Sequence, residues 1–137
     1  MQNPNTNIRT YFSIFGDEFP LDEFTNKIGI TPTVVRTKGE IYKIGKTQHK
    51  SYTTTWTYEI DYCLTSDPTS QINKLVDIFS NKVNIINYYL KEFNLDSKIA
   101  IILVFPESSG LLLNQKLIKF ANEINSEYEF DFYCDEI

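Results

Sequence analysis

Residues 51–63 read SYTTTWTYEIDYC, and their alternation decides the fold class. Tyr52, Thr54, Trp56, Tyr58, Ile60 and Tyr62 share one parity; Thr53, Thr55, Thr57, Glu59 and Asp61 share the other. Successive side chains of an extended chain point to opposite faces, so this pattern predicts a strand with one packed face and one wet face. Sheets covered on one side only are typically antiparallel. Trp56 is expected inside and Glu59 outside, and a one-residue slip in register would exchange them.

On the N-terminal side, residues 8–15 repeat the period of two, with Ile8, Phe12 and Ile14 opposed to Arg9, Tyr11, Ser13 and Phe15. A short helix is predicted over residues 20–28. Pro20 suits its first turn, Asp22 and Glu23 complement the positive end, and Gly29 supplies a left-handed stop. Residues 33–50 are less regular, with short strands expected around Val34 and Val35 and around Ile41, Tyr42 and Ile44.

On the C-terminal side, Asp67 and Pro68 read as the N-cap and first residue of a helix. Ile72, Leu75, Val76, Phe79, Val83, Ile86, Leu90 and Phe93 form a stripe of about six turns, read as one long helix with Ser80-Asn81 as a candidate interruption. Residues 98–105 are apolar on both faces and predict a central strand. Pro106 and Ser108-Ser109-Gly110 break the chain before a third helix marked by Leu113, Leu117, Ala121 and Ile124. A final strand alternates Tyr128, Phe130, Phe132 and Cys134 with Glu127, Glu129, Asp131, Tyr133 and Asp135.

The fold class is therefore α+β: a mainly antiparallel sheet with two or three helices on one face. The first six elements fit a ferredoxin-like (split βαβ) core, to which one helix and one strand are added. Residues 1–7 are expected to form a disordered tail and residues 8–137 a single domain.

Of the 137 residues, 42% are hydrophobic and 15% aromatic, which excludes disorder for most of the chain. A net charge of -5 argues against nucleic acid as a partner, because phosphate binding favours a basic face. No apolar run approaches the roughly 18–20 residues that span a bilayer. With a polar, Asn-rich start, the expectation is a cytoplasmic protein without a membrane partner. Cys63 and Cys134 are then expected as reduced thiols, whether or not they are neighbours.

Residues able to do chemistry are sparse. His49 is the single histidine, without a cysteine or second histidine at metal-ligand spacing and without a triad partner. Ser108-Ser109-Gly110 lacks the elbow around a nucleophilic serine. No catalytic residue, metal site or cofactor is expected. Glu59, Asp61, Glu129 and Asp131 would cluster if their strands were adjacent, but the plainer expectation is that they are separated and solubilise the sheet.

Charge asymmetry is the stronger signal. Arg36, Lys38, Lys43, Lys46 and Lys50 are five of the 13 basic residues and are opposed locally only by Glu40. One reading is an anionic-ligand site, in a binding protein or enzyme, where Arg36, Lys38 and His49 converge. The favoured reading is a non-enzymatic protein-binding domain of immunity-like type, whose acidic surface faces a basic partner such as a toxin. Glu127, Glu129, Asp131 and Asp135 are its expected contacts, with Asp17, Glu18 and Glu136 adding to the field. A homodimer joined through an exposed strand is a third possibility.

Tyr11-Phe12-Ser13-Ile14, Ile28-Gly29-Ile30-Thr31-Pro32, Lys38-Gly39-Glu40, Trp56 and Phe130-Asp131-Phe132-Tyr133 occur in an order that resembles a bacterial family, domain of unknown function 4279. The resemblance spans residues 8–133. It implies a small, stand-alone, mostly cytoplasmic domain without an established activity, some of whose relatives resemble members of toxin–immunity neighbourhoods. No family catalytic residue carries over.

Overall fold

A computed structural model describes residues 6–65, 67–105 and 110–134. Its centre is β1 (Thr6–Gly16), whose packed face carries Ile8, Thr10, Phe12 and Ile14. β1 begins at Thr6, so Thr6 and Asn7 belong to a strand instead of the expected tail. It pairs antiparallel with β5 (Thr54–Thr65) on one side and β6 (Asp96–Phe105) on the other. β2 (Val34–Arg36) and β7 (Glu127–Cys134) complete the order β2-β5-β1-β6-β7, and among the described residues only the β6–β7 pair is parallel. β5 thus lies between β1 and β2, and β1 lies between β5 and β6.

The register follows the alternation. Phe12 faces Tyr58 and Ile99 across its two neighbours, and Ile14 faces Trp56. Between Ile8 and Thr10 the β5 partner advances from Cys63 to Ile60, one residue more than β1, which is a bulge opposite Arg9. Trp56 is fully buried, its ring edge-on to Phe24 at 5.0 Å, and its Nε1 donates to Thr25 Oγ1 at 3.0 Å. Tyr52, expected on the same packed face, is 82% exposed, because β5 starts only at Thr54.

Among the described residues four helices cover that one face, not two or three. α1 (Leu21–Ile28) ends at Gly29, whose φ of 73° is the left-handed conformation that favours glycine and whose N–H donates to the Thr25 carbonyl. α2 (Pro68–Phe79) and α3 (Val83–Glu92) divide the six-turn stripe at residues 80–82. Pro68 occupies the first turn of α2, but the Asp67 side chain makes no cap bond. α4 (Gln115–Glu123) is capped by Asn114, whose side-chain oxygen accepts from the Leu117 N–H at 3.1 Å. Phe24 of α1, Phe79 of α2, Tyr89 of α3 and Phe120 of α4 join one core with Phe12 and Trp56. Among the described residues, no helix is long and apolar enough to cross a membrane.

β3 (Ile41–Ile44) and β4 (Thr47–Lys50) form a separate two-stranded hairpin, whose turn opens at Gly45 with φ 61°. The backbones of Cys63 and Cys134 lie on β5 and β7, three strand spacings or about 14 Å apart, which is beyond disulfide reach.

Candidate functional site

β7 closes one side of the sheet, and among the described residues no strand pairs with its far side. Its parity sorts its chemistry. Glu127, Glu129 and Asp131 share the face turned away from the helices, all exposed, at intervals of about 7 Å. Tyr128, Phe130 and Phe132 share the packed face. Their rings form a ladder, Phe130 and Phe132 lying parallel at 5.6 Å, and the ladder runs outward until Phe132 is 56% exposed. Tyr128 anchors its inner end by donating its hydroxyl to the Leu117 carbonyl at 2.6 Å, and desolvation pushes that phenol's pKa up. Asp135, the fourth expected contact, lies outside the described residues.

The open face of the sheet is electrostatically graded. Glu59 on β5 takes a two-pronged contact from Arg9 on β1, Nε to Oε2 at 2.9 Å and Nη2 to Oε1 at 3.0 Å. Hydrogen bonding to Glu59 raises the Arg9 pKa further. Lys98 on β6 reaches Glu129 at 3.3 Å, while Glu127 and Asp131 have no ion pair among the described residues. The two acidic strands expected to be apart are apart: β1 and β6 stand between them, each contributing one cation. Among the described residues, no group of three His, Cys, Asp or Glu side chains is placed to hold a metal ion.

The basic segment divides. The Arg36 guanidinium lies 3.5 Å from the centroid of the Tyr42 ring, and His49, directly opposite Tyr42 in the hairpin, stacks on the same ring at 5.4 Å. Lys38 turns the other way: its Nζ donates to Asp17 at 2.8 Å, which raises its pKa. Arg36 and His49 are thus brought together and Lys38 is not. Ile41 and Ile44 are exposed in the hairpin.

Lys38 instead lines a cleft of about 960 Å³ with Asp17, Glu18, Asp22, Thr37 and Phe93. Thr54 fixes its wall, donating to the Asp17 carbonyl and accepting from the Lys38 N–H. Sequence reasoning missed this cleft, because Asp17 and Lys38 are 21 positions apart and neither belongs to a motif.

Residues 6–135, nearly the whole chain, match the family model described as Domain of unknown function (DUF4279). No curated protein and no solved structure matches.

Proposed function

The chain belongs to the DUF4279 family, and on that premise we propose that it is a non-enzymatic protein-binding domain that receives a basic partner along β7. The observation that carries this reading is the row Glu127, Glu129 and Asp131, three exposed carboxylates at every second position of a strand that, among the described residues, is paired on one side only. Glu127 and Asp131 have no ion pair among the described residues, and a cationic partner along this edge would complement them. Exposed Phe132 and Tyr133 beside the acids add the aromatic surface that protein interfaces use as anchors. In its sharpest form the partner is a toxin whose basic site this edge covers, an immunity-type role.

Capture from the native host with the wild-type chain and with a Glu127→Lys, Glu129→Lys, Asp131→Lys variant tests the reading. The expected result is a stoichiometric basic protein retained by the wild type and lost by the charge-reversed chain. Recovery of the same proteins with both, or of none with the wild type, overturns it.

A further inference from the structure

We propose that the partner adds an extended strand to β7 as the sixth strand of the sheet, and that this strand alternates basic with apolar residues. The inference rests on the preceding reading of β7 as the docking edge and names the form of its partner.

Natural sheets blunt their edges with short strands, charged side chains, prolines, bulges or covering loops, since a bare edge is a template for another chain, and of these devices β7 uses, among the described residues, charge alone. The two edges of this sheet differ in that respect. β2 is three residues long, whereas β7 runs for eight and pairs with β6 from Lys98↔Glu127 to Phe105↔Cys134 without a register shift. Its sequence, EYEFDFYC, contains neither proline nor glycine. Every second residue of such a strand turns both N–H and C=O away from its one neighbour, so about four residues offer paired donors and acceptors on the far side.

Side-chain parity then specifies the incoming strand. On the open face it meets Glu127, Glu129 and Asp131, so lysine or arginine is required at its alternate positions. On the packed face it meets the ladder of Tyr128, Phe130 and the half-exposed Phe132, which apolar side chains would cover. The same pattern discriminates against a second copy of this chain. Antiparallel pairing of β7 with itself about Glu129 would set Glu127 against Asp131 and Glu129 against Glu129, a like-charge contact at each of the three acidic positions. One sign of charge along the strand thus disfavours self-pairing in this register, the one that aligns the three acids, and still admits a basic strand.

The experiment uses three capped synthetic octapeptides against the full chain, read by fluorescence anisotropy: Lys and Val alternating, the same residues in two blocks, and the alternating peptide N-methylated at every second residue. Alternating peptide is expected to bind about ten-fold tighter than the block peptide, and N-methylation on the edge-facing side to abolish that advantage. Glu129→Lys should weaken the alternating peptide in particular, and amide shifts on binding should concentrate in residues 127–134. Equal binding of alternating and block peptides, indifferent to N-methylation, overturns strand addition while leaving an acidic docking edge intact. Saturable binding by none of the three also overturns it, and host capture then decides the broader reading independently.

Discussion

Thr10 places a hydroxyl on the packed face of the sheet, between Ile60 and Ile101, where it is buried and has no hydrogen-bond partner among the described residues. An unpaired buried hydroxyl costs on the order of 1–3 kcal/mol, and valine has nearly the same shape. Thr10→Val is therefore expected to raise the midpoint of urea unfolding by an amount worth about 1 kcal/mol; an unchanged or lowered midpoint would show that the hydroxyl is satisfied in solution. Tyr89 supplies a second test at this scale. Its hydroxyl donates to Glu23 at 2.5 Å, and desolvation together with that bond lifts its pKa from 10.0 to about 12. The folded chain therefore holds this proton more tightly than the unfolded chain. Its contribution to stability is complete below pH 10 and is lost as pH rises from 10 towards 12. Tyr128 acts in the same direction. Urea midpoints measured across that window should fall with pH in the wild type and fall less in Tyr89→Phe; parallel slopes would remove Tyr89 from the linkage.

At the scale of elements, the hairpin β3–β4 is a two-stranded sheet of its own with Ile41 and Ile44 exposed, and two-stranded hairpins are marginal alone. Its ties are the Arg36–Tyr42–His49 stack and the backbone bonds Gly39 N–H to the Ser51 carbonyl and Ser51 N–H to the Glu40 carbonyl. Tyr42→Ala is expected to speed amide exchange across residues 41–50 while β1 amides stay protected. Global stability should fall by no more than about 1 kcal/mol, the usual size of an exposed cation–π contact. A proportionate loss of protection in β1 would mean that the hairpin belongs to the cooperative core. The same bonds explain what the sequence left unread. Ser51 closes the hairpin, which delays β5 to Thr54 and leaves Tyr52 outside the strand whose parity it shares. β4, Thr-Gln-His-Lys, carries no apolar period at all and forms because Gly45 turns it back onto β3. Where a packed face exists the period was legible: Trp56 lies inside, Gly29 stops α1, and the helical stripe breaks at Ser80-Asn81.

Over the whole molecule, side-chain parity was readable along the strands with a packed face, but strand order was not, because it depends on which distant segments pair. Only the order shows that β1 and β6 carry Arg9 and Lys98 into the space between the two acidic strands, and that β7 is an edge. The order also separates the charges. Arg36 on β2, with Lys43, Lys46 and Lys50 in the adjoining hairpin, lies at one side of the sheet, and Glu127, Glu129 and Asp131 lie at the other. Four strand spacings, about 19 Å, stand between β2 and β7. The Debye length is about 10 Å at 0.1 M salt and about 30 Å at 0.01 M, so the basic end repels an approaching cationic peptide only in dilute salt. Neutralising Lys43, Lys46 and Lys50 to glutamine should leave the association rate of the alternating peptide unchanged at about 0.1 M and raise it several-fold at about 0.01 M. Glu127→Gln with Asp131→Gln should slow association at both, because those carboxylates lie at the contact itself. Stopped-flow rates at the two salt concentrations separate these cases. If removing the lysines slowed association in either, the peptide would be landing on the hairpin, and the opposite edge of the sheet would lose its claim to the partner.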